Sequence, residues 1–138
     1  PWISVTFFYW YTWDYQTEGG VRFSSGAIPT HLLTVEAFRE YRRVLRHDGI
    51  LLLHISNRAL DLAPVVSAGA RETGLMLGLK SNEMAKDPDA EYTYWAALTA
   101  SPETFGRLEE GLGWRRAGPP GRKAWTDQYS NLFGALVW

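Results

Sequence analysis

The feature that most constrains the fold is a short, uninterrupted apolar run at residues 50–55, ILLLHI. The run has the length of a strand. A continuous rather than alternating apolar pattern is typical of a strand that is buried on both faces of a parallel sheet. It therefore predicts an α/β fold.

Helical patterns flank this run on both sides. Before it, apolar residues recur every three or four positions over residues 35–46, and Thr34 is suited to the N-cap of that helix. After it, Asp61 is predicted to cap a second helix over about residues 62–73, which Gly74 ends. The central part of the chain thus predicts a helix–strand–helix unit.

The following residues predict a hairpin and a third helix. Residues 75–80 and 92–99 have the composition of strands and are joined by a polar, charged loop. Ser101 is suited to cap a helix that ends at Gly113. The whole order predicts the second half of an α/β domain of the Rossmann-like, S-adenosylmethionine-dependent methyltransferase type. Such a partial sheet ends in an antiparallel hairpin and carries flanking helices.

Residues 1–20 differ in composition from the rest of the chain, so we divide the sequence into this segment and residues 21–138. Aromatic residues occupy both faces of any strand drawn through residues 5–13, which leaves two interpretations: a strand buried on both sides, or a stretch that is not native coding sequence. The aromatic residues of the segment are Trp2, Phe7, Phe8, Tyr9, Trp10, Tyr11, Trp13 and Tyr15.

Charge and composition exclude several classes of protein. Fourteen basic residues against fifteen acidic ones leave a net charge of -1, which gives no field to attract nucleic acid or an anionic membrane. The absence of cysteine excludes disulfides and fits a reducing compartment, so we expect a cytoplasmic protein. The apolar stretch at residues 3–13 is too short for a membrane-spanning helix, which needs ~18 residues or more.

Three segments in this order resemble the spermidine-synthase-like (polyamine aminopropyltransferase-like) family: FSSGAIPTHLLT at residues 23–34, LHISNRALDL at residues 53–62 and WTDQYSNL at residues 125–132. The resemblance covers residues 23–138. It implies a Rossmann-like fold and a transferase of polyamine biosynthesis, which moves an aminopropyl group from decarboxylated S-adenosylmethionine onto putrescine or a similar amine.

The family's reaction implies machinery that this sequence lacks. Its nucleotide cradle is a glycine-rich turn near the start of the domain, and no such motif occurs here. Val21 and Gly26 stand where the family has its acidic residues, and neither can accept a proton. We therefore assign no catalytic residue and expect an inactive fragment. The alternatives are a non-enzymatic remnant or protein-interaction domain, and a different S-adenosylmethionine-dependent methyltransferase.

Five residues are candidates for ligand contact because open α/β sheets bind ligands beyond the carboxyl ends of their strands. Ser24, Ser25 and His31 lie in the loop before the first helix, where the alternative is an ordinary turn. Asn57 and Arg58 follow the buried strand, where the alternative is a loop that caps the next helix.

Asp127 is a candidate to bind the substrate amine, since Trp125 and Tyr129 flank it and their rings could form the walls of a pocket. The alternative for Asp127 is a simple Asx turn. His54, inside the apolar run, is interpreted as a core residue. The three histidines have no spacing suited to a metal, so no metal site is predicted.

The expected partners follow from the resemblance and from the half-sheet. A small amine and a nucleotide, either decarboxylated S-adenosylmethionine or S-adenosylmethionine, are the implied ligands. Neither nucleic acid nor a membrane is expected. An exposed sheet edge would favour a homo-oligomer.

Overall fold

The structure is a computed structural model, and it describes residues 4–7, 30–56, 60–81, 93–130 and 133–136. The described elements are β1 (Ser4–Phe7), a 3-10 helix (Thr30–Leu32), α1 (Val35–Val44), β2 (Ile50–His54), α2 (Ala63–Thr73), β3 (Met76–Ser81), β4 (Tyr94–Thr99), α3 (Pro102–Leu112), β5 (Arg115–Arg116) and a second 3-10 helix (Phe133–Ala135).

The strands form one mixed sheet in the order β1-β2-β4-β3-β5. β1 runs parallel to β2, with Phe7 opposite Leu53. β4 lies antiparallel between β2 and β3, so that Ala96 faces Leu53 on one side and Leu79 on the other. The predicted α/β class and the predicted hairpin, β3 with β4, are confirmed. Most of the charged loop of that hairpin, residues 82–92, lies outside the described residues.

Helix α2 connects two strands that point the same way. β2 and β3 are both antiparallel to β4, so they run parallel to each other with β4 between them. A crossover helix between parallel strands is a βαβ arrangement, and β2 lies within the parallel part of the sheet, as the apolar run at residues 50–55 predicts.

The sheet is covered on both faces. Leu51 and Leu53 of β2 pack into the main core with α1 and α2. Ile50 and Leu52 point to the other face, where they pack against Phe105 and other residues of a smaller core under α3. Because successive side chains of a strand alternate between faces, the uninterrupted apolar run supplies both cores.

Helices α1 and α2 lie side by side and run in the same direction. Val35 at the start of α1 packs against Ala68, and the Phe38 ring lies over Gly69. Near the end of α1, the Arg42 guanidinium donates a 2.5 Å hydrogen bond to the carbonyl of Thr73. Since α2 begins beyond the carboxyl end of β2, the N-terminus of α1 lies toward that same end of the sheet.

The helix boundaries follow their capping residues. Thr34 is the N-cap of α1 as predicted, and its hydroxyl accepts a hydrogen bond from the Ala37 amide. The helix ends at Val44, two residues before the predicted end, because Leu45 has an extended backbone conformation. Helix α3 ends at Leu112, and its C-cap is the predicted Gly113, whose φ of 69° places it in the left-handed region.

The start of α2 corrects the prediction for Asp61. The N-cap of α2 is Leu62, one residue later than expected, and the Leu62 side chain makes no capping bond. The Asp61 carboxylate still accepts a 3.2 Å hydrogen bond from the Ala63 amide. Helix α2 has less need of a side-chain cap because Pro64 lies in its first turn and has no backbone amide that needs a partner.

The predicted strand in the aromatic segment lies only partly within the described residues. Ser4–Phe7 is a strand, and residues 8–29 lie outside the described part of the chain. Across the described ranges, no helix has the length and apolar character to cross a membrane.

Candidate functional site

An open cleft of about 350 Å³ lies between the N-terminus of α1 and a turn near the end of the chain. We refer to residues 125–130 as the 125–130 turn. Residues from the 3-10 helix and α1 form one side of the cleft, and residues from the turn form the other. The lining residues are Thr30, His31, Thr34, Glu36, Ala37, Glu40, Thr126, Asp127 and Ser130.

The 125–130 turn is closed by two backbone hydrogen bonds. The Thr126 amide donates to the Tyr129 carbonyl at 2.8 Å, and the Tyr129 amide donates to the Thr126 carbonyl at 3.0 Å. This pair of bonds leaves Asp127 and Gln128 at the tip. Asp127 therefore projects from a tight turn rather than from a regular strand or helix.

Three hydrogen bonds join the turn to the first turn of α1. The Val35 amide donates to the Trp125 carbonyl at 2.8 Å. The Thr34 hydroxyl donates to Oδ1 of Asp127 at 2.7 Å, and the Asp127 amide donates to Oε2 of Glu36 at 3.1 Å. Amides in the first turn of a helix have no partner within the helix, so a distant segment can supply acceptors for them.

The cleft is acidic. Glu36, Glu40 and Asp127 line it, and no lysine or arginine belongs to its described lining. The Glu40 carboxylate also pairs with Arg43 one turn along α1, at 2.8 Å, which raises the pKa of the Arg43 guanidinium. Carboxylates near a helix N-terminus also interact favourably with the helix dipole. A positively charged ligand fits this cleft better than an anion.

Of the candidate residues, the structure brings His31 and Asp127 to the cleft. The Trp125 side chain is buried in the main core instead. The Tyr129 ring is 44% exposed and lies 5.2 Å from the Lys123 ammonium. Among the described residues that line the cleft, the flanking aromatic rings are therefore absent, and polar groups take their place.

The remaining candidates lie elsewhere. Ser24, Ser25, Asn57 and Arg58 are outside the described residues, and so are Val21 and Gly26.

His54 is half-buried rather than part of the core. Its Nε2 lies 2.8 Å from the Ser56 hydroxyl oxygen, and its ring stacks on Trp95 with centroids 4.6 Å apart. The strand that carries it was correctly predicted, but its side chain lies on the sheet face opposite the main core.

Sequence reasoning missed the acidic side of the cleft. Glu36 and Glu40 follow the Thr34 cap at helical spacing, and that pattern indicates only a solvated helix face. The signal that could have drawn attention to them was the coincidence of two carboxylates on one helix face with a third, Asp127, in the late motif.

Comparison of the chain with protein-family models, with curated proteins and with solved structures found no match. Within the described ranges, no group of three histidine or acidic side chains is arranged to hold a metal ion.

Proposed function

We propose that this chain supplies the second half of a Rossmann-like, methyltransferase-type domain of the spermidine-synthase-like family, and that its acidic cleft binds the acceptor amine, putrescine or a similar diamine. The observation that carries the proposal is the strand order, in which β4 is inserted antiparallel between two parallel strands. A parallel sheet that ends in an antiparallel hairpin is the arrangement expected of that half-domain.

The position of the cleft supports a ligand site. In open α/β sheets, ligands bind beyond the carboxyl ends of the parallel strands. The cleft lies at the N-terminus of α1, which points toward the carboxyl end of β2. Its volume of about 350 Å³ is sufficient for a small diamine.

The charges of the cleft support a cationic ligand. A protonated amine needs carboxylate oxygens to replace its hydration shell. Asp127 on the 125–130 turn and Glu36 and Glu40 on α1 supply carboxylates to the lining of the cleft, and Glu36 also accepts a 3.1 Å hydrogen bond from the Asp127 amide. Carboxylates from both elements suit a ligand that carries ammonium groups.

Aminopropyl transfer needs more than an amine site. The attacking nitrogen must lose a proton, and the sulfonium of the donor must be held in line with it. Val21 and Gly26 stand at the positions where the family has its carboxylates, so this chain has no base at those positions. We therefore expect it to bind the amine without transferring an aminopropyl group, and the donor, decarboxylated S-adenosylmethionine, rests on the resemblance alone.

Calorimetric titration with putrescine tests the amine site. We expect saturable binding to the wild-type chain and none to Asp127→Asn, which keeps the shape of the side chain and removes its charge. The uncharged analogue 1,4-butanediol should not bind, because it has no ammonium to pair with a carboxylate.

Asp48→Asn is the matched control. It removes one exposed carboxylate from the opposite end of the sheet, just before β2, and should bind putrescine like the wild type. Equal loss in both variants would indicate a general charge effect and no specific site. No heat with putrescine would refute the proposal. Tight binding of S-adenosylmethionine in preference to its decarboxylated form would favour the alternative that the chain belongs to a different S-adenosylmethionine-dependent methyltransferase.

A protein-interaction domain is the second candidate, and one observation favours it. β1 is an outer strand, and among the described residues only β2 pairs with it. The unpaired side of an outer strand can accept a strand from a second copy or another protein. Light scattering that shows a concentration-dependent dimer, with no putrescine binding, would support this alternative.

A further inference from the structure

The side chain of Thr34 is buried at the junction of α1 and the 125–130 turn. The residue is only 1% exposed. Its hydroxyl oxygen accepts from the Ala37 amide at 3.3 Å, which is the ordinary N-cap interaction. The hydroxyl proton has two acceptors in reach, the His31 carbonyl at 3.2 Å and Oδ1 of Asp127 at 2.7 Å.

A hydroxyl has a single proton to donate, so the two acceptors compete. The Asp127 carboxylate is both the nearer acceptor and a charged one, and hydrogen bonds to charged acceptors are shorter and stronger. Thr34 therefore donates to Asp127, and Oδ1 is fixed. No described residue donates to Oδ2 and Asp127 is exposed, so this oxygen is accessible to a ligand in the cleft.

The backbone of Asp127 is held as well. Its amide donates to Glu36, and the neighbouring Trp125 carbonyl accepts from the Val35 amide. The Asp127 side chain is otherwise exposed, and an exposed carboxylate samples several rotamers unless a partner holds it. Thr34 is the described side chain that supplies that partner.

We propose that Thr34 is a positioning residue that holds the Asp127 carboxylate in the rotamer that receives the ammonium group. This inference rests on the proposed amine site. Thr34 is buried and contributes very little exposed surface to the cleft, so it acts on the ligand through Asp127. A carboxylate held in place before binding loses less conformational freedom when the ligand arrives, and the affinity is higher.

The test is the affinity for putrescine in a set of variants. Thr34→Val removes the hydroxyl and keeps the shape, and we expect affinity to fall by about tenfold, the usual effect of losing one hydrogen bond to a charged group. Thr34→Ser restores the donor and should restore affinity. In an Asp127→Asn background, Thr34→Val should have no further effect, because the group it positions no longer binds.

Ser101→Ala is the matched control for the capping role of Thr34. Ser101 is a buried N-cap of α3 whose hydroxyl accepts from the Thr104 amide at 3.2 Å. Its loss should lower the melting temperature as Thr34→Val does, and leave putrescine affinity unchanged. This control separates positioning from a general loss of helix stability.

Three results would overturn the inference: wild-type affinity in a folded Thr34→Val, a loss in Ser101→Ala as large as in Thr34→Val, or three-bond couplings that show free rotation about χ1 of Asp127 in the wild-type chain. The last measurement does not depend on any variant folding. Failure of the wild type to bind putrescine would instead refute the amine site, and the role of Thr34 with it.

Discussion

The two faces of the sheet are covered in different ways. On the first face, α1 and α2 pack against each other as well as against the strands, and Trp125 from a distant part of the chain completes the core. On the second face, α3 follows directly from β4 and packs back on it through Phe105 and Leu108. The first face thus depends on a contact between two helices and on a distant turn, whereas on the second face a single helix packs against residues of β2, β3 and β4.

Two helical glycines show what the difference means for a single residue. A Cβ placed on Gly69 of α2 would lie 2.5 Å from the Phe38 ring, which is fully buried. A Cβ placed on Gly106 of α3 would have no neighbour within 4 Å among the described residues. The first glycine is required by a neighbour on another helix. No described residue near the second glycine requires it.

Gly69→Ala should give the largest effect. The Phe38 ring has no exposed side toward which to move, so the added methyl group overpacks the contact between α1 and α2. We expect the free energy of unfolding to fall by about 1–3 kcal/mol. Urea denaturation followed by circular dichroism measures it.

Phe38→Leu provides the check on the cause. In this smaller background, Gly69→Ala should cost clearly less than in the wild type, since the clash partner is gone. If the two substitutions were additive, the close approach of Phe38 would not be the reason for Gly69.

Gly106→Ala should have a smaller effect of opposite sign. Glycine in a helix interior leaves the unfolded chain more freedom than alanine does, and no described residue lies close enough to oppose the methyl group. We expect stabilisation by about 0.4–1 kcal/mol, read from the same urea curves. A destabilised variant would mean that α3 lies closer to other parts of the chain than the described residues indicate.

The same contrast explains how much of the fold could be predicted. Elements on both faces follow from local signals: the Ser101 cap and Gly113 set the ends of α3, and the apolar run at residues 50–55 identifies β2. No local signal in the sequence indicates that residue 69 must be glycine. The requirement comes from the ring of Phe38, which lies 31 positions earlier in the chain.

The candidate site was predicted in part for the same reason. Asp127 and His31 were identified from motif residues, and both line the cleft. Trp125 was expected there as well, but its ring is buried in the main core while its carbonyl contacts α1. Which side of a turn a ring occupies depends on the surface that the turn packs against, and that surface belongs to α1, about ninety positions away.

The last prediction concerns the pH dependence of the free energy of unfolding, and it applies only at alkaline pH. It depends on Tyr41 of α1, on the first face, which is the one buried titratable side chain among the described residues. Its hydroxyl donates a 2.9 Å hydrogen bond to the Leu32 carbonyl, and burial raises the pKa of the phenol. Above the pKa of an unfolded tyrosine, about 10, the unfolded chain loses this proton while the folded chain keeps it. The free energy of unfolding should therefore be constant with respect to this group below pH ~10 and fall as the pH rises further.

Urea curves at pH 8 and in alkaline buffer should show this loss in the wild type and in Tyr129→Phe, which retains Tyr41, and a smaller loss in Tyr41→Phe. An equal loss in all three would show that the titrating group is not Tyr41.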